Sequence, residues 1–214
     1  MDRRKALKNI GLGAGAIAVT PTVASLFQSC QKSASWVPVA FSQEHWNVIS
    51  ELTELIIPKT DIPGAKELKL AAFIDAYVDA VLDAPTQQAM QTGIKSFVSV
   101  ALADTEKTSA VALSIEDLDG QLAKYLKAET AQQENWNQQA WGYLEAVEKG
   151  EEIAEIPMEA LAAGFASELR NFTVSAYKTS EYIGENVLAY DPVPGRQEGC
   201  VDLMETTGGK AWSL

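Results

Sequence analysis

With 214 residues, 47% of them hydrophobic, the chain is long enough for one well-packed domain and too apolar to stay disordered. A formal net charge of -12 argues against nucleic acid as a partner, because neutralising phosphates needs a lysine- and arginine-rich surface. Of the 17 basic and 29 acidic residues, four basic (Arg3, Arg4, Lys5, Lys8) and one acidic (Asp2) fall in the first 30, so the remainder is more acidic still.

Residues 1–30 read as an export signal. A basic start is followed by an uncharged run from Ile10 to Val23, too short and too glycine-rich for a permanent membrane span. Arg3 and Arg4, with Leu7 and Lys8 behind them, resemble the twin-arginine motif, whose pathway carries folded proteins. An ordinary secretory signal holding two arginines is the plainer alternative. The run ends at Leu26-Phe27-Gln28-Ser29-Cys30, similar to a lipoprotein cleavage box except that Phe27 stands where leucine is usual. Cleavage before Cys30 would leave a lipidated cysteine on a tether, residues 31–40, and an acylated cysteine anchors by burying methylene groups in the membrane. Cleavage elsewhere would leave Cys30 free or paired with Cys200.

From Phe41 the apolar residues recur at helical spacing, and the sequence predicts an all-α bundle of about six helices over residues 41–178. Ser42 caps the first, whose stripe runs through Val48, Ile49, Leu52 and Ile56 before Pro58 ends it. A second is expected over Ala65–Leu82, with Leu70, Phe73, Ile74, Tyr77, Val78 and Val81 inward. Pro85 opens the third, faced by Met90, Ile94, Phe97 and Val98. Ser114 and Asp117 form a capping-box pair for the fourth, which carries Leu118, Leu122, Tyr125 and Leu126. The fifth shows Trp136, Ala140, Tyr143, Leu144 and Val147 and stops at Gly150; the sixth follows Pro157 with Met158, Leu161, Phe165, Leu169 and Phe172. Residues 179–214 break the pattern. Prolines, glycines and the spaced aromatics Tyr182, Tyr190 and Trp212 predict an extended, irregular arm lying on its own domain or on another protein.

Reactive groups are sparse. His45 is the sole histidine and borders the first helix's apolar stripe, which favours a packing role over a metal or catalytic one. No Glu-x-x-His pair, four-cysteine set or Cys-x-x-Cys-His sequence occurs, so the di-iron, iron–sulfur and covalent-haem signatures are missing. The GLGAGA of residues 11–16 follows no strand and lies within the export signal, so it carries no weight as a nucleotide loop. No catalytic, cofactor-binding or metal-ligating residue is assigned to this chain.

Residues 51–78, ELTELIIPKTDIPGAKELKLAAFIDAYV, resemble the segment that marks the gluconate 2-dehydrogenase subunit 3 family, above all at Ile57-Pro58-Lys59-Thr60-Asp61-Ile62-Pro63-Gly64-Ala65. Phe73, Ile74 and Asp75 follow at the expected place, and residues 177–200, YKTSEYIGENVLAYDPVPGRQEGC, are similar to the family's tyrosine- and proline-containing tail. The resemblance implies a small non-catalytic subunit accompanying a large FAD-containing sugar or polyol dehydrogenase, which often passes electrons to a haem c cytochrome subunit. It implies a periplasmic or envelope location, with the leader exporting the folded partner and this chain stabilising it; a lipid at Cys30, as the cleavage box suggests, would add a membrane anchor to the assembly. Pro58, Asp61, Pro63 and Gly64 in the first loop, and Tyr182, Tyr190 and Trp212 in the arm, are then the candidate partner contacts. The competing readings are a free-standing helical envelope lipoprotein with a binding or structural role, and an enzyme whose site assembles from scattered acids.

Overall fold

Ser42 starts the first helix as its position predicts, its hydroxyl accepting the His45 N–H at 3.2 Å, and the helix α1 spans Gln43–Ile56. The structure is a computed structural model that describes residues 36–153, 155–193, 195 and 199–213. Arg3, Arg4 and Cys30, and with them the export and lipidation expectations, lie outside the described residues. The described residues from Pro38 onward cluster as one compact unit.

Within that unit α2 spans Leu70–Ala80, α3 Ala84–Thr105, α4 Ile115–Leu126, α5 Thr130–Lys149 and α6 Met158–Lys178. The fold is all-α, and the six expected helices are all present. A five-residue helix α7, Leu203–Thr207, a 3₁₀ turn at Ala110–Ala112 and a π turn at Ile183–Val187 complete the elements among the described residues. No described helix is long and apolar enough to cross a membrane.

Helix α6 is the centre of the bundle, touching α1 to α5. Its inward positions are mostly small, with Ala160, Ala162, Ala163, Ala166 and Ala176 all buried, so neighbouring backbones come close. At the crossing with α3 the approach is tight enough to require glycine: a Cβ on Gly93 would sit 2.8 Å from the Phe165 Cβ. Around this crossing lie Phe97, Ile94, Ile49, Leu52, Leu70, Ile74, Val78 and Leu169, all fully buried. Each such side chain contributes about 1.5–3 kcal/mol of transfer free energy, and together they form one continuous core. Phe97 packs on Phe165 and Tyr125 with ring centroids 5.8 and 6.0 Å apart, and Tyr125 meets Trp136 edge-on at 5.3 Å.

Two expectations for α2 are corrected. The helix begins at Leu70, not Ala65, because Lys69 adopts left-handed φ 55° and the Lys66 N–H is taken by the Glu54 carboxylate. Phe73 and Val81 face outward, because the buried stripe runs through Leu70, Ala71, Ile74, Asp75 and Val78. Asp75 causes this rotation: its buried carboxylate accepts the backbone N–H groups of Val39, Ala40 and Phe41 at 2.8, 3.0 and 3.2 Å. Met158 and Val147 are likewise exposed at the ends of their helices. The arm is extended and irregular as expected, apart from the π turn at Ile183–Val187 and from α7, which Asp202 caps by accepting the Met204 and Glu205 N–H groups at 2.9 Å each.

Candidate functional site

The loop between α1 and α2 is built around one side chain. Glu54, in the last turn of α1, accepts the Lys59 N–H on Oε1 at 3.1 Å and the Lys66 N–H on Oε2 at 2.8 Å. The Ala65 N–H returns to the Ile57 carbonyl at 2.9 Å, so the chain leaves and rejoins the helix end at one point. Gly64 sits inside this closure. A Cβ there would lie 2.5 Å from the Lys59 nitrogen and 2.9 Å from the Glu54 carboxylate, so no larger residue fits without opening the loop. Ion pairs of Lys66 with Glu51 (2.6 Å) and of Lys59 with Glu67 (2.5 Å) flank it at the surface. Pro58 and Asp61 are exposed at the tip, Pro63 is half-buried and Gly64 is buried. The first three offer surface; Gly64 shapes it.

The arm is held at two places. Ile183 and Gly184 are buried next to the end of α6, and Ala189 pairs with the last residues through Ala189 N–H to Ala211 O and Ser213 N–H to Ala189 O, both 2.8 Å. That pairing brings Tyr190 and Trp212 together on one open groove, which Val201, Asp202 and Lys210 also line. Tyr182 is outside this groove, and none of the loop residues 58–64 lines it. All three aromatics keep about half their surface exposed.

The titratable groups serve structure. His45 is half-buried, and burial pushes its imidazole below the ordinary value, with Glu44 opposing and Lys95 adding to the shift. It lines a shallow polar hollow with Gln88, Gln91, Thr92 and Lys95, where Gln91 donates to the Ala40 carbonyl at 2.8 Å. Tyr125 donates to Glu159 at 2.9 Å, and Lys124 joins Glu159 to Asp104 at 2.8 and 2.9 Å, tying α3, α4 and α6 together. Desolvation, followed by the Glu159 hydrogen bond, pushes the Tyr125 phenol up. Cys200 is exposed and has no disulfide partner among the described residues. No group of three or more His, Cys, Asp or Glu placed to hold a metal occurs among the described residues.

The backbone-binding roles of Glu54 and Asp75 are what sequence reasoning missed, although Asp75 belongs to the stretch that carries the family resemblance. Glu54 reads as a routine surface acid three residues from Glu51, and only the closing loop reveals its two amide bonds. Asp75 did leave a signal, being the one charged residue on the apolar stripe of α2.

The sequence model of a family described as Gluconate 2-dehydrogenase subunit 3 matches residues 43–195, from the first residue of α1 through the first part of the arm. No curated protein sequence and no solved structure matches the chain.

Proposed function

The chain belongs to the gluconate 2-dehydrogenase subunit 3 family, and on that premise we propose that it is the non-catalytic small subunit of a flavin-dependent sugar or polyol dehydrogenase. The match over residues 43–195 is the observation that carries the reading. Substrate oxidation and the FAD belong to the large subunit, and a haem c subunit is the onward electron acceptor. This chain supplies three services: export, through Arg3 and Arg4 in a twin-arginine leader; stabilisation of the large subunit by docking; and membrane attachment through a lipid on Cys30.

Two features support the docking role. The loop bearing Pro58, Asp61 and Pro63 is locked by Glu54 from within its own chain, so little ordering entropy is lost when a partner closes over it. Tyr182, Tyr190 and Trp212 remain half exposed on the arm, where large rigid side chains make effective anchors. A leader that exports folded protein also requires the complex to form before export, which a preformed helical surface allows.

Affinity isolation of the tagged full-length chain from mild-detergent extracts of its native cells tests this reading. A stoichiometric yellow flavoprotein with dye-reducing activity is the expected companion, and mass analysis should find an acylated N-terminal Cys30. The chain recovered alone, colourless and acylated, would instead identify a free-standing envelope lipoprotein.

A further inference from the structure

The bundle carries an apolar groove between α5 and α6, floored by α3, that lies apart from both the locked loop and the arm. Trp141 stands over it with 73% of its surface exposed, although it projects from a largely polar helix. Leu144 and Phe172 border it half-buried, and Met90, Leu161 and Phe165 form the floor. The band continues past the groove, since Phe172 meets Tyr77 at 5.6 Å and Tyr77 stacks on the exposed Phe73 at 6.1 Å. Gly164 opens the floor. It lies in the interior of α6, where alanine would favour the helix, and a Cβ added there would meet nothing within 4 Å. Gly164 thus leaves room in the groove, as Gly120 and Gly142 leave open space on α4 and α5.

Charge selects the occupant. Glu168 lines the groove and enters none of the ion pairs among the described residues, on a chain whose net charge is -12. A second copy would bring a like charge against it. We propose that this groove seats an amphipathic helix of the flavin-dependent large subunit, carrying lysine or arginine beside its apolar face. The helix lays apolar residues along Trp141, Leu144 and Phe172, over the opening at Gly164, and its cation pairs with Glu168. The inference rests on the accessory-subunit reading and places a principal docking surface away from the loop and the arm.

The test is capture of the flavoprotein by the tagged full-length chain, read as flavin absorbance per captured chain, for wild type and for Gly164→Leu, Trp141→Ser and Glu168→Lys. No variant should melt below wild type, because Trp141 and Glu168 are exposed and Gly164 faces open space, and Gly164→Leu should melt slightly higher through its better helix propensity. Gly164→Leu and Trp141→Ser should lower captured flavin by about tenfold or more, as expected for residues at the centre of an interface. Glu168→Lys should lower it in low salt and less so in high salt. Wild-type capture by Trp141→Ser, a change at a largely exposed side chain, overturns the groove while leaving the accessory reading intact. Failure of the wild-type chain to capture any flavoprotein overturns both. If the variants instead convert a dimer of this chain to monomer with flavin capture unchanged, the occupant is a second copy and the proposal falls.

Discussion

Gly64 and Glu54 illustrate how one backbone closure depends on two side chains of opposite kind. The carboxylate needs two amide donors within reach of its two oxygens, and those donors, Lys59 and Lys66, come close only if the residue between them and α1 has no Cβ. Gly64→Ala forces its methyl against the Lys59 backbone and should destabilise the protein by about 1–3 kcal/mol. Glu54→Gln replaces one acceptor oxygen with a donor facing an N–H, and should lose about 1–3 kcal/mol. Because both substitutions break the same closure, their effects should be less than additive, and a double-mutant cycle by urea unfolding measures the coupling. Fully additive losses would mean that the loop is held elsewhere. Pro58→Ala, at the exposed tip, should change stability by less than about 0.5 kcal/mol.

At the scale of elements, the helices were legible wherever a cap stood beside a clean apolar stripe. Ser42, Pro85, Ser114 and Gly150 mark the ends of α1, α3, α4 and α5 where the sequence places them. The start of α2 was not legible, since Lys69 is no obvious breaker and its left-handed backbone follows from the amide bonds of the Glu54 loop. The exposure of Phe73 was hidden for the same kind of reason: Asp75 turns the helix to meet the amides of residues 39–41, a contact across more than thirty residues. The candidate site divides likewise. The irregular arm could be read from composition, whereas the exposure of its aromatics and Trp141 over its groove required the packing of the chain.

Helix α4 permits a test in acid. Asp117 accepts the Ser114 N–H at 2.6 Å, receives Lys107, and completes the capping box. The Lys107 contact, then the Ser114 hydrogen bonds, hold its carboxyl down from the usual 3.8 to about 2. A depressed folded value means the contribution is fully present above about pH 4 and is lost as pH falls toward 2. Asp117→Asn should therefore be less stable than wild type at pH 6, with the difference shrinking between pH 4 and 2 in thermal melts. A gap that stays constant over that window would place the effect in the side chain's shape and not its charge. Helix α5 offers a contrast in rigidity. Ala140 is its only buried residue and α6 its main neighbour, so its amides should exchange with deuterium well before those of α3 and α6. Equal protection across the three helices would show that α5 opens only with the whole bundle.

For the molecule as a whole, the core and the arm should be separable in energy but joined in function. The main core cluster ends at Ala176, and beyond it only Ile183 and Gly184 are buried among the described residues of the arm. Among the described residues, the segment after Val187 is secured by the Ala189 pairing and by local turns, none of which reaches the crossing of α3 and α6. A chain ending at Val187 should thus keep its helical circular dichroism and lose no more than about 3 °C in melting temperature, a shift corresponding to about 1 kcal/mol in a domain of this size. It should also lose affinity for the flavoprotein, because Tyr190 and Trp212 go with the deleted segment. Because Trp141 and Phe172 remain, the residual affinity should still fall further on Trp141→Ser if groove and arm are independent contacts. A truncated chain that melts much lower would show instead that the arm is part of the fold. One that stays folded and binds the flavoprotein at full strength would remove Tyr190 and Trp212 from the interface and leave the groove and the locked loop to carry it.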